Sequence, residues 1–183
     1  MRRLAVALLV LACVACDAAA QQESAFPWFE AEGGRVRDGA QILSPDTEIA
    51  LASKLDRAEA SYGQQMGIVT VDSLHGMSIE DFSLHYASAW GLGNVKRDDG
   101  LMLLVAPNER KVRIEIGRGL EQTFPDEWCQ EVLDEIVLPA FRAGDYERGI
   151  RVGSDALVAR MRQFPTRPAN DDEAVTDLAE IAA

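Results

Sequence analysis

Acidic residues lie beside glycines at two places in the sequence, and such residues could bind a metal ion or a phosphate. Asp98 and Asp99 precede Gly100, and residues 117–121 read Gly-Arg-Gly-Leu-Glu, which places Arg118 between two glycines. Carboxylate and backbone carbonyl oxygens are the ligands that calcium and magnesium prefer. A metal bound there could polarise a phosphoryl oxygen or activate water.

Two apolar stretches predict a β-hairpin that would bring these segments together. Residues 101–106 form a continuous apolar run, which is typical of a strand covered on both faces. Residues 111–116 alternate between apolar and polar, which indicates a strand with one wet face, nearer the edge of a sheet. If residues 107–110 form the turn, Gly100 lies opposite Gly117.

The same register places several acids at one edge of the sheet. Asp99 is expected near Arg118, and Glu121 and Asp126 follow closely enough to reach the same edge. A structural interpretation competes with the metal site. Asp-Gly is a common turn pair, Arg118 could pair with Asp99 or Glu121, and Asp126 could be a helix N-terminal acid. The spacing alone favours this structural interpretation.

Other residues with reactive side chains give weaker signals. Cys129 lies on an apolar helical stripe, which predicts a buried and inert thiol. His75 and His85 have no Cys, Asp or Glu at a spacing that would complete a zinc site. The sequence also has no nucleophile elbow, P-loop or dinucleotide-binding fingerprint.

The remaining elements predict an α/β fold. A strand–helix–strand unit implies a right-handed crossover between parallel strands, and the hairpin then makes the sheet mixed. With helices on both faces, the fold class is a three-layer α/β/α sandwich. The elements predicted around the hairpin are a helix that begins at Ser44-Pro45 and ends at Gly63, a strand over residues 66–71, a helix from Ser78 to Gly91, a helix from Pro125 whose buried stripe includes Ile136, and a helix after Asp145.

The N-terminus has the pattern of a secretory signal sequence. Two arginines precede an uncharged apolar run over residues 4–15, which is shorter than the ~20 residues that span a bilayer. Small residues favour cleavage after Ala20. Cys13 and Cys16 leave open an alternative, in which one of them carries a lipid anchor. We expect a periplasmic or other extracytoplasmic location, with no transmembrane helix in the mature chain.

The charge of the chain restricts its partners. Eighteen basic and 30 acidic residues give a formal net charge of −12. Removal of residues 1–20, which include Arg2, Arg3 and Asp17, changes this charge to −13. Such a surface repels nucleic acid and anionic lipid, so no nucleic-acid partner is expected.

Several groups of residues together resemble the TPM domain family, which includes thylakoid-lumen-phosphatase-like proteins and bacterial envelope proteins. The resemblance covers about residues 35–162, and it is carried by the order of the motifs rather than by any one of them. The motifs are Val36-x-Asp38, Asp99-Gly100-Leu101, Gly117-x-Gly119-Leu120-Glu121 with Asp126, Pro139-x-Phe141, and Gly144-Asp145-Tyr146-x-x-Gly149-Ile150.

The resemblance implies a domain organisation and a site. It implies a Rossmann-like sandwich over residues 35–163, after a signal peptide at 1–20 and a linker at 21–34 and before an acidic flexible tail at 164–183. Many bacterial relatives carry a Gly-rich tail or a C-terminal membrane helix, and this chain shows neither. A divalent-cation site for calcium or magnesium is reported for the family. The positions that could carry it are Asp38, Asp98, Asp99, Glu121 and Asp126.

Two functions are consistent with these features. The chain could be a non-catalytic assembly or maintenance module that docks a membrane-protein complex of the cell envelope. Alternatively, it could be a metal-dependent acid phosphatase, a hydrolase of phosphate monoesters. In that case Asp99 would hold the metal, Arg118 would contact the phosphate and water would attack in line.

Overall fold

The computed structural model describes residues 34–166. The predicted signal sequence with Cys13 and Cys16, nearly all of the linker and most of the acidic tail lie outside the described residues, so these stay predictions. Within the described range, no helix combines the length and the apolarity that crossing a membrane requires.

Four strands form one sheet in the order β1-β2-β3-β4. The first three are parallel, and β4 runs antiparallel to β3. The mixed sheet, its parallel crossover and its hairpin are therefore as predicted. The strands are β1 (Val36–Asp38), β2 (Gln65–Thr70), β3 (Gly100–Ala106) and β4 (Lys111–Ile116).

The hairpin has the predicted register. Leu101 pairs with Ile116, and Ala106 pairs with Lys111. All residues of β3 are buried, whereas β4 is the edge strand and is partly exposed. The uninterrupted apolar run of β3 and the alternation of β4 follow from these two positions in the sheet.

Strand β1 was not predicted. It has only three residues, all of them half-buried, and the pattern Val-Arg-Asp is too short for an alternation to be recognised. Val36 pairs with Ile68 and Asp38 pairs with Thr70, which makes β1 the second edge strand.

The helices begin and end largely where the sequence predicts. The Ser44 hydroxyl accepts from the N–H of Thr47 at the start of α1, and Gly63 ends this helix with φ 90°. Ser78 and Gly91 have the same two roles in α2. The helices are α1 (Pro45–Tyr62), α2 (Ile79–Trp90), α3 (Asp126–Glu131), α4 (Leu138–Arg142) and α5 (Tyr146–Gln163).

Helices cover both faces of the sheet, which confirms the three-layer arrangement. On one face, α2 packs through Phe82 against Met102 and Leu104. On the other face, α1 and the C-terminal helices pack against Ile68 and Leu103.

The helix predicted from Pro125 contains a feature that the sequence did not indicate. Residues Val132–Val137, between α3 and α4, form a π-helix. The wider turn carries the buried face from Leu133 to Val137, so Ile136 is 37% exposed and its predicted burial was wrong. Pro139 follows at once, and it lacks the N–H that a regular α-turn would use.

Candidate functional site

The start of β3 and the end of β4 form one edge of the sheet, and two loops meet there. We call residues 91–98, which precede β3, the rim loop, and residues 117–121, which follow β4, the return loop. The N–H of Gly117 donates to the carbonyl of Gly100 at 2.8 Å. The predicted pairing of these two glycines is therefore confirmed.

Glycines allow the return loop to lie directly on the rim loop. The N–H of Gly119 donates to the carbonyl of Asp98 at 3.0 Å. A Cβ on Gly117 would overlap the carbonyl oxygen of Asp98, and a Cβ on Gly119 would overlap that of Arg97. Only bare backbone fits at this distance, so the glycines set how closely the two loops approach.

Asp99, the predicted catalytic acid, is enclosed by the protein. Its side chain is buried and accepts hydrogen bonds from the Asn94 N–H at 2.8 Å, the Arg97 Nε at 2.6 Å and the Thr166 hydroxyl at 3.3 Å. A buried carboxylate with a paired guanidinium and further donors is satisfied within the fold. Asp99 therefore holds the rim loop and the residues after α5 in place.

Asp98, and not Asp99, contacts Arg118. The Asp98 Oδ2 accepts from the Arg118 N–H and from its Nε, both at 3.2 Å. Both side chains are well exposed. Asp98 has φ 48°, a left-handed conformation that turns its side chain away from the interior position taken by Asp99. Glu121 is also exposed and lines the same cleft as Asp98 and Arg118.

Asp38 lies at the opposite edge of the sheet. Because β1 is parallel to β3, the end of β1 is far from the start of β3. The Asp38 carboxylate accepts from the N–H groups of Ile42 at 3.2 Å and Leu43 at 2.8 Å, and from the Thr70 hydroxyl. It therefore shapes the turn before α1 and cannot share a ligand sphere with the acids of the rim.

The five acids predicted as cation ligands do not converge. Asp126 is the exposed first residue of α3 and does not line the cleft that Asp98 and Glu121 share. Among residues 34–166, no three His, Cys, Asp or Glu side chains form a group that could hold a metal ion. The carboxylates of the rim therefore do not fit a calcium or magnesium cage, and we derive no step through a metal.

An open cleft of about 850 Å³ lies between α2, the rim loop and the return loop. Its rim carries charges from Lys96, Arg118, Asp98 and Glu121. Its floor is the backbone at the start of β3, around Leu101. We call this the rim cleft. Its volume is within the range of protein sites that bind small molecules or parts of a partner.

Two exposed apolar residues of the rim cleft were not singled out from the sequence. Val95, in the rim loop, is 99% exposed, and Leu84, on α2, is 56% exposed. The sequence held a signal for Val95, because it is an apolar residue between Asn94 and Lys96 in a polar loop. Leu84 lies outside the buried stripe of α2.

Cys129 is buried, as predicted. Its Sγ lies 3.7 Å from the carbonyl oxygen of Phe124. Burial, together with the negative charge of Asp126, raises the pKa of the thiol to about 11. The thiol is therefore protonated at neutral pH and is a poor nucleophile.

Solved structures share this fold. The N-terminal domain of a protein from Porphyromonas gingivalis, written P.gingivalis in its description, is 33% identical, with a TM-score of 0.64 over 69% of this chain and 80% of that chain. The N-terminal domain of the cg2496 protein from Corynebacterium glutamicum is 18% identical, with a TM-score of 0.55 over 72% of this chain and 86% of that chain. The BA42 protein from the psychrophilic bacterium Bizionia argentinensis is 16% identical, with a TM-score of 0.60 over 69% and 87% of the two chains.

The family is shown by the sequence match. No curated protein matches this chain. The model of the TPM domain matches residues 36–160, which include every strand and almost all of α5. The chain therefore belongs to the TPM domain family.

Proposed function

We propose that this chain is a non-catalytic assembly or maintenance module of the cell envelope, which binds a membrane-protein complex through the rim cleft. The observation that carries the proposal is the position of Asp99. The acid best placed for chemistry is buried and holds Asn94, Arg97 and Thr166 instead of facing the cleft.

The rim cleft has the composition of a docking surface. Leu84 and Val95 expose apolar surface, and Lys96 and Glu121 supply charges around them. Interfaces between proteins commonly have an apolar centre and a polar margin. The closely stacked glycine loops support Val95 from below, so the surface is ordered before a partner arrives.

Site-specific photo-crosslinking in cells tests this surface. A crosslinking amino acid at position 95 or 84 should give a defined adduct with an envelope membrane protein. Ile49, which is 69% exposed on α1, is the matched control position and should not give that adduct. Val95→Asp should abolish the adduct formed from position 84. The same adduct from position 49, or none from 84 and 95, would contradict the proposal.

Export is the second part of the proposal, and it rests on the pattern of residues 1–20. Mass spectrometry of the protein purified from its cells should give a mature chain that begins at Gln21. A lipid-modified chain that begins at Cys13 or Cys16 would support the anchored alternative. An intact N-terminus on a cytoplasmic protein would contradict export.

A metal-dependent acid phosphatase is the second candidate function. The observation that favours it is that Asp98, Arg118 and Glu121 line one cleft. Its first requirement is cation binding, which calorimetry with calcium and magnesium measures directly. Binding by the wild type that is lost in the double variant Asp98→Asn, Glu121→Gln would support this candidate. No binding would leave the docking module.

A further inference from the structure

A second cleft, of about 490 Å³, lies at the other edge of the sheet. It is bounded by the turn between β3 and β4 and by the junction between α4 and α5. Three cationic side chains line it, from Arg110, Lys111 and Arg142. All three residues are exposed. We call this the basic cleft.

The cations of the basic cleft have no ion-pair partner within residues 34–166, although the chain carries a net charge of −12. No acid is among the lining residues. The acids that adjoin the cleft in sequence have other partners. Asp145 accepts from the N–H of Arg148 at 3.0 Å, and Glu109 accepts from the N–H of Leu74 at 2.8 Å.

Glu147, on the first turn of α5, is also directed elsewhere. Its carboxylate accepts from the Ser44 N–H at 3.0 Å and from the Thr47 hydroxyl at 2.6 Å. The positive charge of the cleft is therefore not neutralised from its own elements.

Aromatic and aliphatic side chains form the floor of the basic cleft. The rings of Phe141 and Tyr146 lie 4.8 Å apart between centroids, and Leu138 and Val112 complete the apolar lining. Gly149 on α5 allows the close approach of Phe141, because a Cβ there would overlap the ring. A cationic margin around such a floor suits an anion that also carries an apolar group.

Arg110 occupies a backbone position that favours glycine. Its φ is 54°, in the left-handed region, and its N–H donates to the carbonyl of Pro107 at 3.1 Å. A glycine would adopt this conformation without steric cost. An arginine here places a guanidinium at the cleft against the preference of the turn.

We propose that the basic cleft binds an acidic, extended segment of a partner protein. Carboxylates of the segment would lie among Arg110, Lys111 and Arg142, and one aromatic or aliphatic side chain would lie on Phe141 and Tyr146. A free phosphate would make no use of the apolar floor, and an anionic membrane would be repelled by the net charge of the domain. This site is independent of the rim cleft, because it lies at the opposite edge of the sheet.

Fluorescence anisotropy on the whole chain tests the proposal. The probe is a short fluorescein-labelled peptide of glutamates around a single phenylalanine, and its control replaces the glutamates with glutamines. The wild type should bind the glutamate peptide saturably, with an affinity that falls as salt rises. Lys111→Gln and Arg142→Gln should each weaken binding roughly two- to fivefold. Arg162→Gln, which removes an exposed cation at the far end of α5, should leave binding unchanged.

Arg110→Gly separates binding from folding. It should weaken binding of the peptide by the same factor while raising the melting temperature, because the turn is relieved of its strained residue. Equal binding by the variants and the wild type, or equal binding of the glutamine peptide, would overturn the proposal. So would absence of peptide binding, including the case in which inorganic phosphate or phosphatidylglycerol vesicles bind instead.

Discussion

The rim cleft and the basic cleft lie at opposite edges of one sheet, and they differ in how their charges are used. At the rim, Asp99 is paired inside the protein with Arg97, and Asp98 is paired on the surface with Arg118. At the basic cleft, Arg110 has no such partner within residues 34–166. A cluster of charged residues in a sequence therefore does not by itself indicate a site. What matters is whether the fold has already supplied the partners.

The largest effect that we expect comes from Asp99→Asn. The substitution leaves the Arg97 guanidinium without its buried carboxylate and should lower the free energy of unfolding by about 3 kcal/mol. Asp98→Asn removes an exposed pair and should cost less than about 1 kcal/mol. Urea denaturation measures both. Equal losses would mean that Asp99 is no more integral to the fold than its exposed neighbour.

Gly119→Ala should have the next largest effect. Its methyl group would overlap the carbonyl oxygen of Arg97, so the return loop must move away from the rim loop at a cost of about 1–3 kcal/mol. Gly34→Ala, where nothing lies within 4 Å of the added atom, should change the free energy of unfolding by less than about 0.5 kcal/mol. Binding of the acidic peptide at the opposite edge should survive in both variants, and its loss in Gly119→Ala would show that the edges are coupled.

Cys129 gives a smaller effect, confined to alkaline pH. Its pKa is raised to about 11, so between pH 9 and 11 the unfolded chain releases the thiol proton before the folded one does. Stability is therefore lost as pH rises, by on the order of 1 kcal/mol at pH 10. Free energies of unfolding at pH 8 and pH 10 should differ less in Cys129→Ala than in the wild type. An unchanged difference would mean that the thiol does not contribute.

The smallest effect concerns Glu147, beside the basic cleft. Hydrogen bonds from Thr47 and Ser44 lower the pKa of this carboxyl below its usual value of 4.5. The stability that it contributes is present above that value and is lost as pH falls through the lowered pKa. The melting temperature of Glu147→Gln should therefore fall less between pH 5 and pH 3 than that of the wild type. A parallel fall would place the carboxylate outside any stabilising contact.

The strands and helices that carry strong local signals were predictable. A four-residue turn between two apolar stretches sets the register of Leu101 and Ile116, and Ser44 and Gly63 have side chains or conformations that determine where a helix begins and ends. Short or irregular elements were not predictable. β1 pairs over three residues, and the π-helix before Leu138 changes the buried face, which exposes Ile136.

The site was predicted only in part, for reasons of backbone conformation. The sequence brought Asp98, Arg118 and Glu121 to one edge, and the structure places them around one cleft. It could not show that Asp98 adopts a left-handed conformation, which sends Asp98 outward and Asp99 inward. It also could not place Asp38 correctly, because the direction of an unrecognised strand determines the edge at which that residue lies.

The central claim is that the rim of the sheet binds a partner and does not catalyse a reaction. The most direct measurement is hydrolysis of p-nitrophenyl phosphate with calcium or magnesium, by the wild type, Asp98→Asn and Arg118→Gln. The account predicts that none of the three releases product faster than buffer alone. Turnover by the wild type that disappears in both variants while their folding is intact would contradict it.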